Sequence, residues 1–162
     1  MDGLIGTTLG PYRIVERLGR GGMAAVYKAY QPSLDRYVAV KVLPSHLTDE
    51  PGFAERFRRE ARAVAKLEHP HILAVHDYGQ EGDLTYIAMR YVEGGTLKDL
   101  LGKPLDMPLV VDLIGQLAEA LDYAHEHGMS RLEGNTPWTV VTSTVPASQL
   151  HTNGDSLAEW GY

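Results

Sequence analysis

The sequence predicts an α+β fold in which strands come first and helices follow. Three observations carry this. Short β-branched and aromatic runs, parted by glycine-rich or Pro/Asp-containing turns, fill residues 11–43. A segment with apolar residues at helical spacing, 48–68, is followed by two more β-type runs between 71 and 92. A longer helical pattern occupies 108–127. The chain has 162 residues, enough for one domain with a core of its own.

Taken in order, Tyr12, Ile14, Val15 and Leu18 make the first strand, a glycine cluster the turn, and Ala25-Val26-Tyr27 the returning strand. After Pro32-Ser33-Leu34-Asp35, the run Tyr37-Val38-Ala39-Val40-Lys41-Val42-Leu43 is a third strand. The helix over 48–68 has Thr48 or Asp49 as a cap and Pro51 where a first turn tolerates it. Phe53, Phe57, Glu60, Val64 and Leu67 share one of its faces, four apolar residues and one carboxylate. A face rotated by one residue would put Ala61 inside instead. Residues 72–76 and 84–89 are the last two strands, with Gly79 to Asp83 as their turn. A short helix over 96–101 precedes the long one, whose stripe is Leu109, Leu113, Leu117, Ala120, Leu121 and Ala124. From Met129 the composition shifts to Thr, Ser, Asn and Gly; Trp138-Thr139-Val140-Val141 reads as a strand and the rest as loop or disorder.

Composition excludes several function classes. A net charge of −6 argues against general nucleic-acid affinity. With no cysteine, disulfides, thiolate chemistry and cysteine-based zinc sites are out. No apolar run reaches the roughly 18 residues of a membrane span, and Met1 to Gly6 lacks a signal-peptide pattern. A cytoplasmic protein is the expectation. His69 and His71 fall in a loop, and His125 and His127 at a helix end. None has the i, i+4 pairing with a carboxylate that a helical zinc site uses, so no metal site is expected from them.

Three features carry chemistry. Gly19, Gly21 and Gly22 let a backbone approach phosphate closely and aim its N–H groups at the charge. An ordinary hairpin turn explains them equally well. A dinucleotide fingerprint would need a helix to follow directly, and a strand follows here. Lys41 alternates onto the face of Ala39 and Leu43, a small and an apolar neighbour, which fits a lysine in a cleft; a lysine pointing to solvent is the plainer reading. Glu60, on an otherwise apolar seam, needs a partner or should not ionise. A buried pair of Lys41 with Glu60 would answer both oddities.

Together the glycine-rich loop, the Val38-Ala39-Val40-Lys41 strand and a helix with a central Glu resemble the amino-terminal lobe of protein kinases, of the bacterial (Hanks-type) serine/threonine class. Glu68-His69-Pro70-His71-Ile72 is similar to the family's loop after that helix. Residues 86–97 are similar to its hinge and following helix, and 117–128 to the helix leading into its catalytic loop. The resemblance covers about residues 11–128. It implies a kinase-like N-lobe, a five-stranded antiparallel sheet plus one helix, then the first helices of a C-lobe. The implied layout is an N-terminal extension (1–10), the N-lobe with hinge (11–92), a partial C-lobe (93–128) and a divergent tail (129–162).

The resemblance also implies ATP as ligand. Leu18, Val26 and Ala39 would line the adenine pocket, with Met89 as gatekeeper and the backbones of Arg90 and Val92 bonding the base. Gly19, Gly21 and Gly22 would cover the phosphates. Lys41, oriented by Glu60, would hold the α- and β-phosphates. Ala24 stands where the family often has a third glycine, and Arg90 where it often has Glu. After Gly128 the likeness breaks. The family's His-Arg-Asp triplet and the Asn five residues beyond its Asp, which serve proton acceptance and Mg²⁺, would come next. The chain reads Met129-Ser130-Arg131-Leu132-Glu133-Gly134 instead. An ungapped register sets Glu133 at the Asp position, the one weak catalytic candidate, and Trp138 at the Asn position. Asp-Phe-Gly and Ala-Pro-Glu do not occur. A frameshift or truncation of a kinase gene is expected, and other reading frames past codon 128 test it.

Three functions follow from this. The first is a kinase fragment that binds ATP with little or no transfer. The second is a non-catalytic kinase-like module that pairs with another kinase chain or with protein substrates. The third is an active kinase whose tail supplies an atypical site.

Overall fold

The computed structural model describes residues 2–20, 24–43, 53–94 and 104–129. They fall into two compact units. The first holds the sheet and one helix, within 2–65 and 75–92; the second holds 66–74 and the described residues from 93 to 129.

The first unit is a six-stranded antiparallel sheet in the order β1-β2-β3-β4-β6-β5. The strands are β1 (Thr8–Leu9), β2 (Tyr12–Arg20), β3 (Ala25–Gln31), β4 (Arg36–Leu43), β5 (Val75–Glu81) and β6 (Leu84–Arg90). Five were expected. The sixth is the two-residue β1, too short to show as a pattern, which pairs Thr8 with Arg13 and Leu9 with Tyr12. Leu9 is buried in the sheet's core and Leu4 packs against it.

Strict alternation builds that core. Tyr12 and Ile14 from β2, Ala25, Tyr27 and Ala29 from β3, Val38, Val40 and Val42 from β4, and Tyr86 and Ala88 from β6 all point to one side. The sheet curls enough for its distant strands to meet across this core. Tyr12 stands edge-on to Tyr86 with ring centroids 6.0 Å apart, and its hydroxyl donates to Asp77 Oδ2 of β5 at 3.2 Å. Burial, with Asp77 beside it, pushes the Tyr12 hydroxyl up to about 12. The Tyr86 hydroxyl lies against Gly10 and Gly79, where a Cβ would overlap it.

Several boundaries move. The last hairpin turns on two residues, Gly82 and Asp83, with Gly82 at φ +55°. Gly79, expected in that turn, pairs with Tyr86 inside the ladder. The preceding strand begins at Val75, not at Ile72. Ile72 is buried instead in the second unit. Helix α1 spans Phe53–Val64 and stops short of residue 68. Leu67 leaves the helix to pack with Ile72 and Ala120. On α1, Val64 of the expected face and Ala61 of the rotated one are both buried. Glu55, Arg59 and Arg62 are exposed, and Glu55 pairs with Arg58 at 2.6 Å.

In the second unit, helix α2 spans Met107–Glu126, with Asp106 at its N-cap and Pro108 in its first turn. Of the expected stripe, Leu113 and Ala120 are buried, whereas Leu117 and Leu121 are exposed. Ala120 is buried where it meets loop 67–72. Leu67 and Ile72 pack on Ala120, with Tyr123, Ala124 and Met129 around them. The Tyr123 ring stacks on His127 at 4.0 Å and lies 5.0 Å from His69. The tail strand at 138–141 and the short helix at 96–101 lie outside the described residues.

Candidate functional site

The second face of the sheet is where the candidate residues gather. In β4, Ala39 and Lys41 point away from the core built by Val38, Val40 and Val42. Register then sets two rows across this face. One runs Glu16, Lys28, Ala39, Met89; the next runs Gly19, Val26, Lys41, Ile87. Directly opposed side chains in such rows touch. Val26, Ala39, Lys41 and Met89 are therefore neighbours, although they come from three strands. Leu18 is half-buried in the irregularity between Arg17 and Gly19, where β2 bends beside Val26.

The face is graded. Ala39, Ile87 and Met89 are buried and apolar. Lys41 is one row further in and only partly exposed. Burial pushes its ammonium down to about 8, because the charged form is the one that loses hydration. An anion beside this lysine would favour its charged form. At the end of β6, Arg90 pairs with Val38 and its side chain is exposed; Val92 is exposed beyond it. The backbone from 90 to 92 thus leaves the sheet beside Met89.

Glu60 lies on α1, but its side chain is outside the described residues, as are Gly21, Gly22 and Glu133. Gly19 is buried at the end of the first row's neighbour, opposite Val26. Ile87 was not singled out from the sequence, though alternation from Met89 puts it on the same face. Lys28 also escaped notice, two residues after Val26 and opposite Ala39. Among the described residues, no group of three or more His, Asp or Glu side chains is placed to hold a metal ion.

The protein kinase domain model matches residues 12–131. Among curated relatives, the serine/threonine-protein kinase PknH of Mycobacterium tuberculosis is 41% identical over 130 residues, covering 79% of this chain and 21% of that protein. PknJ of the same species is 44% identical over 125 residues, covering 76% and 21%. A probable serine/threonine-protein kinase of Clostridium acetobutylicum is 42% identical over 130 residues, covering 78% and 20%. Among solved structures, the Mycobacterium tuberculosis PknI kinase domain superposes with a TM-score of 0.65 at 37% identity, over 76% of this chain and 52% of that one. The chain therefore spans about a fifth of these curated relatives and about half of that kinase domain.

Proposed function

The chain belongs to the protein kinase family, as the amino-terminal portion of its domain, and from that premise we propose that it holds ATP on the second face of the sheet. The observation that carries the reading is the pair of rows that set a half-buried Lys41 beside the apolar Ala39 and Met89. Adenine lies between Leu18, Val26 and Ala39, with Met89 at the back and the backbones of Arg90 and Val92 meeting its edge. Gly19, Gly21 and Gly22 cover the phosphates. Lys41 holds the α- and β-phosphates and Glu60 orients it.

Transfer is a separate matter. The family uses Mg²⁺, but these 162 residues contain neither Asp-Phe-Gly nor a catalytic-loop Asn in register. We assign no metal step to them, and phosphotransfer by these residues alone is not expected. Glu133 is a poor substitute for an Asp, since its longer side chain moves the carboxylate by about a bond length. Residues 129–162 are read as a divergent tail, of the composition a frameshift would leave, and 93–128 as a partial C-lobe. A cytoplasmic site of action is part of the proposal; among the described residues no helix is long and apolar enough to cross a membrane.

A second reading, a non-catalytic module that pairs with a kinase chain or a protein substrate, is favoured by α2. Met107, Val111 and Ile114 are each at least 60% exposed there.

Thermal unfolding with and without ATP separates the two. The ATP reading expects a rise in midpoint that Lys41→Met removes. No rise, with a stable dimer in solution, would favour the pairing module. Phosphate transfer to a protein substrate would show that the tail supplies an atypical site.

A further inference from the structure

Lys28 occupies an unusual place for a surface lysine. It lies opposite Ala39, on the sheet face that carries Met89 and Lys41. Its ammonium sits 4.6 Å from the centre of the Tyr37 ring and 4.7 Å from that of Tyr91. Glu16 Oε1 is 3.9 Å away, from the strand on its other side. Tyr37, Glu16 and Lys28 belong to the sheet, but Tyr91 does not. The β4–β6 ladder ends at the Val38–Arg90 pair, and Tyr91 is the first residue past it. The backbone after Arg90 has left the ladder, and the Tyr91 ring ties it back to the sheet through Lys28.

We propose that Lys28 is a positioning residue for the adenine-binding segment 90–92, holding Tyr91 by a cation–π contact while Glu16 and Tyr37 keep the ammonium in place. The inference rests on the ATP reading above. It adds a group that does not touch the nucleotide but sets the backbone that does. A lysine whose stem packs along the sheet while its head meets two rings has little freedom to wander. Removing the charge frees the ring and, with it, the carbonyl and N–H that the base would meet. Arginine should substitute, since its guanidinium also stacks on aromatic faces.

The test uses the full chain, with Lys28→Met, Lys28→Arg, Tyr91→Leu and Lys41→Met. Amide hydrogen exchange is followed at residues 90–93, and dissociation constants are measured for ATP and for adenosine. Lys28→Met and Tyr91→Leu should speed exchange at 90–93 and weaken both ligands about tenfold, while the unfolding midpoint of the free protein stays put. Lys28→Arg should restore both. Lys41→Met should weaken ATP alone, because adenosine has no phosphate. Unchanged exchange at 90–93 in Lys28→Met overturns the proposal. So does unchanged adenosine affinity in that variant while Lys41→Met still loses ATP, a result that leaves the ATP reading standing. A wild-type chain that takes up neither ligand overturns the ATP reading instead, and exchange at 90–93 then decides the role of Lys28.

Discussion

The sheet and the long helix treat their apolar side chains in opposite ways. Tyr27, Val38, Val40 and Val42 have no exposed surface. In α2 only Leu113 and Ala120 are buried, while Met107, Val111 and Ile114 stay 68%, 64% and 60% exposed. The sheet closes its own core because each central strand has a partner on both sides and the curl brings Tyr12 to Tyr86. Among the described residues, the helix packs Ala120, Tyr123 and Ala124 against Leu67 and Ile72. A ligand site built on the sheet would rest on a core that the sheet's own strands close.

The largest effect should come from the sheet. Tyr27→Ala removes a fully buried ring from the centre of the core and should cost about 3–5 kcal/mol, much of a typical domain's margin of 5–15 kcal/mol. Urea denaturation followed by circular dichroism measures it. A loss below about 1 kcal/mol would mean that the sheet core is not what holds the fold.

A middle-sized effect concerns pH. Lys41 titrates near 8 in the folded chain and near its ordinary 10.5 when unfolded. In the free protein the depressed value is a penalty. It is full below pH 8 and is relieved as pH rises from 8 toward 10.5. Nucleotide binding runs the other way, since phosphate needs the charged ammonium. Affinity for ATP should fall roughly tenfold between pH 7 and 9, a loss that follows from deprotonation above a value near 8. Calorimetry across that range should show it, and Lys41→Met should flatten the profile.

The smallest effect lies on the exposed face of α2. Ile114→Ser should change stability by less than about 0.5 kcal/mol, as exposed positions usually do. Leu113→Ala, one residue away on the buried side, should cost about 2 kcal/mol or more. Equal losses at the two sites would show that the exposed face is covered in solution.

The central strands were legible because their chemistry repeats every second residue. Val38, Val40 and Val42 against Ala39 and Lys41 can be read off the chain, and so can the face that Lys41 takes. What stayed hidden depends on packing between elements. Leu67 continues the helical spacing of Val64, yet it turns to Ile72 and Ala120, which no local pattern reveals. Helical spacing on α2 groups Leu109, Leu113, Leu117, Ala120, Leu121 and Ala124 into one stripe, but spacing does not say what covers it: Ala120 meets Leu67 and Ile72, while Leu117 and Leu121 stay exposed. Gly79 looked like a turn residue, but it serves as a strand residue with room for the Tyr86 hydroxyl. Lys28 was passed over because a lysine in a strand looks like a solvent contact until Tyr91 is brought round to it.

Methyl-detected NMR of the full chain during an ATP titration tests the central claim most directly. Shifts are expected at Val26, Ile87 and Met89, with Val38, Val40 and Val42 on the opposite face and Ile114 on α2 left unmoved. Shifts confined to α2 or to the core face, or none at saturating ATP, would contradict it.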